Sequence, residues 1–227
     1  MLNTWGALLN TASSQIPIIL LGTLYSSTSV GFYALGYRTL IVPVSLVGNS
    51  ISTVFLERAA KERTDPERLK QLVLKTYRTL LTLSAILFPV MTFYGDLIIP
   101  WLFGANWLEA GRYVQWMSIW LVFVLASSPL SHIFTILERQ GLSLIMNIVI
   151  FASRVIAMVG SMIIGLDAYQ MIIVFSLTGV LAYLVMCITV LRVVKSSLKE
   201  ILKASWTFLP IMIAHGLIAL VLRMILA

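Results

Sequence analysis

Two arginines, Arg38 and Arg154, lie inside stretches of sequence that are otherwise apolar enough to cross a membrane. A guanidinium group loses most of its hydration in hydrocarbon, so an arginine at that depth is rare and marks a functional site by default. Arginine also forms paired hydrogen bonds with phosphate and carboxylate groups. The two residues therefore predict binding of an anionic substrate, with no catalytic role.

Polar residues share a helical face with each arginine. At ~100° per residue, the two faces hold Arg38, Ser45, Asn49 and Ser52 in one stretch, and Ser143, Asn147, Arg154 and Ser161 in another. The first apolar stretch adds Asn10 and Gln15. No acidic residue lies deep in an apolar stretch to neutralise the arginines, which predicts a hydrated, cationic cavity. The candidate substrate-binding residues are Arg38, Arg154, Asn10, Gln15, Asn49 and Asn147. The alternative for the serines is that they only allow close contact between helices.

The composition is that of an integral membrane protein. Of the 227 residues, 59% are hydrophobic and 11% are charged, with a mean hydropathy of +0.97, whereas soluble domains are near half apolar and a quarter charged. The net charge of +7 comes from basic residues between the apolar stretches, so it does not indicate a nucleic-acid partner. The single cysteine, Cys187, and the two distant histidines predict no metal site and no cofactor.

The apolar stretches predict an all-α, polytopic membrane bundle in one domain, residues 1–227. A spanning helix needs ~20 mostly apolar residues. Seven stretches qualify: Leu2–Leu24, Val30–Phe55, Thr79–Ile99, Tyr113–Leu137, Leu142–Ile164, Tyr169–Val194 and Trp206–Leu226. Proline residues within these spans favour kinks.

The basic residues predict a cytoplasmic N-terminus, because lysine and arginine accumulate in cytoplasmic loops. With this orientation only Arg112 falls in an outer loop. The inner side then holds Arg58, Lys61, Arg63, Arg68, Lys70, Lys75, Arg78, Arg139, Arg192, Lys195, Lys199 and Lys203.

The longest inner loop, residues 57–78, has the pattern of an amphipathic helix on the membrane surface. Asp65 is expected to cap the helix, and Pro66 suits its first turn. Apolar residues then recur every three or four positions. The segment serves either as a solvated connector that fixes topology or as a contact for anionic lipid.

Several motifs occur in an order that resembles a known family. They are "VGFYALGYR" followed by Pro43, "LFGANWLEAG", and "ILERQGLSLIMNIV". From about Leu2 to Lys203 the chain resembles the second half of polysaccharide and O-antigen flippases, in the multidrug/oligosaccharidyl-lipid/polysaccharide exporter superfamily. The resemblance implies two helical bundles around a central cavity, in the bacterial cytoplasmic (inner) membrane, that move a lipid-linked oligosaccharide across it.

The resemblance also defines the expected partners. They are the lipid-linked oligosaccharide, membrane lipids, and either a missing N-terminal half or a second copy of the chain. The expected function is therefore part of a lipopolysaccharide or cell-envelope flippase that works by alternating access and is not an enzyme. The alternatives are a drug or cation antiporter of the same superfamily, a membrane-embedded polysaccharide polymerase or ligase, and an inactive half-transporter fragment.

Overall fold

The protein is an α-helical bundle in the computed structural model, which describes residues 15–206 and 208–226. Its helices are α1 (Gln15–Leu24), α2 (Ser27–Lys61), α3 (Pro66–Phe103), α4 (Leu108–Ser127), α5 (Ile133–Ile136), α6 (Gln140–Ile163), α7 (Ala168–Val193), α8 (Leu198–Ser205) and α9 (Phe208–Leu226). Short 3-10 turns, Ala105–Trp107 and Pro129–His132, precede α4 and α5.

The predicted polytopic membrane bundle is confirmed. Within the described ranges, six helical segments are long and apolar enough to cross a membrane, and α1 adds a shorter apolar helix. The predicted first span, Leu2–Leu24, lies partly outside these ranges. The last predicted span is helical as α9, and the preceding α8 extends the same apolar segment to Leu198.

The segment predicted as an amphipathic surface loop, residues 57–78, instead forms the ends of two long helices. Helix α2 has 35 residues and α3 has 38, and at ~1.5 Å per residue each exceeds 50 Å. Because the hydrocarbon layer is only ~30 Å thick, the polar ends of both helices can project beyond it. The predicted cap is confirmed, since the Asp65 carboxylate accepts from the Glu67 and Arg68 amides at 3.1 Å.

The helices run up and down between two ends of the bundle. We call one the basic end, where residues 62–65, 137–139 and 194–197 connect the helices. There the Arg63 guanidinium pairs with the Glu138 carboxylate at 2.5 Å and joins two of these connections. Helix α4 packs against α2, α3 and α7, α7 packs against α6, and α9 packs against α3.

Helices α3 and α4 approach closely because two glycines face each other. A Cβ atom on Gly111 would lie 2.5 Å from the Gly95 carbonyl oxygen and 2.9 Å from the Asp96 Cα atom. These distances leave no room for a side chain. The contact fixes the position of α4, whose Trp120 lies in the core of the bundle.

Helix α9 runs parallel to α3 along most of its length. At the basic end the Tyr77 hydroxyl lies 3.1 Å from the Ser205 hydroxyl, just before α9. At the opposite end the Arg223 guanidinium donates to both Asp96 carboxylate oxygens at 2.8 and 2.9 Å and to the Phe93 carbonyl at 2.9 Å. These contacts are 19 residues apart in α3, which is long enough to cross the hydrocarbon layer.

Candidate functional site

A cavity of about 380 Å³ lies between α2, α4, α6 and α7 and the turn after α4. Its volume falls within the range of ~300–1,000 Å³ that is usual for ligand pockets. Helices α2 and α6 form its two sides, and α4 and α7 lie behind them. Its polar lining residues are Tyr37, Ser45, Asn49, Ser127, Ser128, Ser131, Asn147, Arg154 and Tyr183.

The cavity lies where the fourth predicted span is interrupted. Pro129 has no amide hydrogen, so α4 ends at Ser127 and a 3-10 turn follows. The Ser127 hydroxyl donates to the Phe123 carbonyl, and the Ser131 hydroxyl donates to the Ser128 carbonyl, both at 2.7 Å. Each hydroxyl oxygen keeps acceptor capacity, so the turn gives the cavity a polar wall.

Arg154 lies in this cavity with only 5% of its surface exposed. The central guanidinium carbon is 4.9 Å from the centroid of the Trp120 ring, 5.6 Å from that of Phe175 and 5.8 Å from that of Tyr183. Its Nη2 atom donates to the Tyr183 hydroxyl at 3.4 Å. The faces of aromatic rings attract a cation, most strongly when it is desolvated. The three rings therefore stabilise the charge of Arg154 at depth.

The rings beside Arg154 form a continuous aromatic stack. Tyr33 stacks on Tyr37, Tyr37 on Trp120, and Trp120 on Tyr183, with centroid distances of 5.8, 6.4 and 5.8 Å. Gly179 of α7 allows this packing, because a Cβ there would lie 3.2 Å from the Trp120 Cγ atom. Packed rings from three helices place the guanidinium in a fixed position.

The electrostatic character of the cavity follows from its lining. Among its described lining residues Arg154 is the only charged one, and none is an aspartate or glutamate. Amide groups from Asn49 and Asn147 offer both donors and acceptors. The cavity therefore combines one positive charge with several neutral hydrogen-bonding groups, an arrangement suited to an anion that carries hydroxyl groups.

The structure brings together three of the six predicted site residues: Asn49, Asn147 and Arg154 line the cavity. Gln15 is exposed and does not line it, and Asn10 lies outside the described residues. That these residues bind substrate stays a prediction.

Arg38 does not line the cavity, although it lies on the same edge of α2 as Ser45 and Asn49. The lining face of α2 is centred on Tyr37, Ile41, Val44 and Gly48, and the edge with Arg38 is exposed. The Arg38 side chain forms neither an ion pair nor a hydrogen bond with any residue in 15–206 or 208–226.

Sequence reasoning missed the aromatic residues and the serine-rich turn. Tyr33 and Tyr37 are four residues apart, as neighbours on one helical face are, and this spacing could have indicated the stack. The "SSP" triplet at Ser127, Ser128 and Pro129 also interrupts an apolar span. A polar break of this kind is tolerated at membrane depth where it lines a cavity.

The comparison with known proteins covers about half of the chain. Residues 1–112 match a family model described as "Polysaccharide biosynthesis protein". The chain is also 27% identical over 109 residues to the amylovoran biosynthesis protein AmsL of Erwinia amylovora, and that alignment covers 48% of this chain and 28% of the relative. The chain thus spans less than a third of the length of this curated relative. No solved structure matches the chain.

The family match includes Arg38 and Asn49 and ends before Trp120 and Arg154. The matched description agrees with the family that the motifs indicated. Together with the membrane-length helices, these findings confirm the resemblance: the chain is a multi-pass membrane protein similar to the polysaccharide flippase-like family of polysaccharide biosynthesis proteins.

Proposed function

We propose that the chain forms part of a flippase that moves lipid-linked polysaccharide repeat units across a bacterial cytoplasmic membrane. The observation that carries this proposal is the position of Arg154, a buried cation beside a polar cavity of about 380 Å³. No bond is made or broken in this task, so the chain acts as a transporter and not as an enzyme.

The physical problem is the headgroup of the substrate. A phosphate with attached sugars must cross ~30 Å of hydrocarbon, while its lipid tail stays in the bilayer. A planar guanidinium group matches the geometry of phosphate oxygens. Asn49, Asn147 and the serines at the end of α4 replace water as hydrogen-bond partners of the sugar hydroxyls. The cavity thereby lowers the cost of taking the headgroup out of water.

The exposed edge of α2 supports a two-bundle arrangement. Arg38, Ser45 and Asn49 are exposed along this edge, and a lipid-facing arginine at depth is costly. Another bundle, or a second copy of the chain, covers this edge and closes the cavity in our proposal. Arg38 then faces the same central space as Arg154, and alternating rigid-body motion opens that space to each side of the membrane.

Charge reversal in cells tests this proposal. We would introduce Arg38→Glu, Arg154→Glu and both together into the intact transporter, and measure surface polysaccharide and the lipid-linked precursor. Arg192→Glu is the matched control, because Arg192 is exposed near the basic end and does not line the cavity. We expect the Arg38 and Arg154 variants to insert normally, to reduce surface polysaccharide and to accumulate precursor at the inner leaflet.

Three results would contradict the proposal. The first is normal export by the double variant at normal membrane levels. The second is single repeat units that reach the outer surface without being joined, because that defect belongs to a polymerase or ligase. The third is a loss in the Arg192→Glu control equal to that of the Arg38 and Arg154 variants, which would remove the role assigned to these two residues.

A further inference from the structure

A second recess lies at the basic end of the bundle, away from the cavity. It has a volume of about 380 Å³ and is lined by Arg78 of α3 and by Leu202, Lys203 and Trp206 at the end of α8. We call these four residues the basic groove. It combines two cations with two large apolar side chains, at the position where the chain is expected to leave the membrane.

Helix α8 presents an apolar stripe away from the bundle. Ile201 and Ala204 are buried, whereas Leu198, Leu202 and Trp206, spaced four residues apart, are 58%, 63% and 71% exposed. A capping box fixes the start of the helix: the Ser197 hydroxyl accepts from the Glu200 amide at 3.2 Å, and the Glu200 carboxylate accepts from the Ser197 amide at 2.7 Å. An exposed apolar stripe that ends in tryptophan is typical of a helix at the membrane interface.

The two cations of the basic groove have no acidic partner within the described part of the chain. The side chains of Arg78 and Lys203 form no ion pair or hydrogen bond there, and both residues are exposed. The nearest acid of α8, Glu200, already pairs with Lys70 at 3.3 Å, and Lys70 also pairs with Glu67 at 3.0 Å. The groove therefore keeps two positive charges beside a hydrophobic surface.

We propose that the basic groove binds the headgroup of an anionic phospholipid. The lipid phosphate lies between the Arg78 guanidinium and the Lys203 ammonium groups, and an acyl chain packs along Leu202 and Trp206. Anionic lipids are attracted to basic residues at the membrane surface, and the apolar side chains match the tail. The bound lipid connects α3 with the segment that leads into α9. This inference does not depend on the proposed transport function.

Native mass spectrometry with defined lipids tests the proposal. The purified chain would be mixed with equal amounts of phosphatidylglycerol and phosphatidylcholine of the same acyl composition, and the retained lipids counted. We expect preferential retention of phosphatidylglycerol and a loss of at least about 10-fold in its apparent affinity in Arg78→Gln/Lys203→Gln, since a direct hydrogen bond between a charged donor and the lipid phosphate contributes about 10-fold or more.

The control variant is Arg192→Gln/Lys199→Gln, which removes the same two residue types from exposed positions outside the groove. We expect its affinity for phosphatidylglycerol to change by less than about threefold. Brominated phosphatidylglycerol should also quench the fluorescence of Trp206. The contribution of Trp206 is the difference in quenching between wild type and Trp206→Phe.

Three results of the lipid experiments would overturn the proposal. They are equal retention of the two lipids by wild type, an equal loss of affinity in the control variant, and the absence of Trp206 quenching by the brominated anionic lipid. Dimers that form without lipid and are lost in Trp206→Ala would assign the groove to a second copy of the chain instead.

Discussion

Replacement of Arg154 by methionine separates a role in substrate binding from a role in stability. Methionine resembles the unbranched stem of arginine up to Nε and carries no charge. The change removes a guanidinium that lies 4.9 Å from the Trp120 centroid, an interaction of up to ~2 kcal/mol when desolvated. It also removes the 3.4 Å hydrogen bond to Tyr183, which contributes about 1 kcal/mol.

An opposing effect comes from burial. Holding an ion out of water costs several kcal/mol even after the protein relaxes, and the uncharged side chain relieves that cost. The two effects nearly offset, so we expect the free energy of unfolding of Arg154→Met to stay within about 2 kcal/mol of wild type. At roughly 2–4 °C per kcal/mol for a chain of this length, Tm should move by less than about 8 °C.

Binding should respond much more strongly than stability. A hydrogen bond to a charged group contributes ~1.5–3 kcal/mol, so loss of the guanidinium should weaken binding of a polyprenyl diphosphate about 10- to 150-fold. Because the Trp120 ring contacts the guanidinium, its fluorescence gives a titration signal in detergent micelles. Thermal unfolding of the same samples gives Tm.

Two results would contradict a binding role for Arg154. Unchanged affinity in Arg154→Met would show that the cavity charge does not bind the diphosphate. A drop in Tm of more than about 12 °C, or failure of Arg154→Met to fold, would assign Arg154 a structural role. Arg154→Lys is the companion variant, since it keeps the charge and loses the planar geometry; it should recover only part of the affinity.

Two further predictions concern helix packing. Gly111→Ala should lower the free energy of unfolding by about 1–3 kcal/mol, because the added Cβ would meet the α3 backbone. Gly160→Ala is the control and should be neutral or stabilising, because nothing lies within 4 Å of a Cβ at that position. Thermal unfolding measures both variants. Arg223→Gln should remove the ion pair with Asp96 and lower the free energy of unfolding by about 1 kcal/mol. It should also increase amide hydrogen exchange in α9. Arg112→Gln is its control, because the ion pair of Arg112 within the described ranges is with Glu109 of the same helix, α4. Equal exchange in the two variants would contradict the prediction.

The sequence predicts the helices well because their determinants are local. Asp65 followed by Pro66 begins a helix at the predicted residue, since the cap bonds only to the next few amides. The same local pattern could not reveal that the amphipathic segment after Asp65 continues without a break into α3. No helix-breaking residue separates the two parts, so tertiary packing extends one helix through both.

The site was predicted less completely than the fold, because a cavity depends on several helices. Helical spacing placed Asn147 and Arg154 on one face, and α7 packs against that helix with Tyr183 beside Arg154. The same reasoning put Arg38 on one face with Asn49, and both lie along the exposed edge of α2, but of these two only Asn49 lines the cavity. The sequence of one helix does not specify which neighbour covers each edge.

Cysteine accessibility tests most directly whether the region around Arg154 is an open, polar binding cavity. The chain has a single cysteine, Cys187, which is buried, so Cys187→Ala gives a suitable background. Asn147→Cys would report on the cavity, and the adjacent Ile148→Cys would report on the lipid-facing side, because Ile148 is 47% exposed and does not line the cavity.

The measurement is labelling of membrane vesicles with a membrane-impermeant maleimide, with and without a polyprenyl diphosphate. We predict that Asn147→Cys is labelled, that the diphosphate protects it, and that Arg154→Met removes the protection. Ile148→Cys should stay unlabelled in hydrocarbon. No labelling at position 147, or labelling that the diphosphate does not change, would contradict the assignment of this cavity as an anion-binding site.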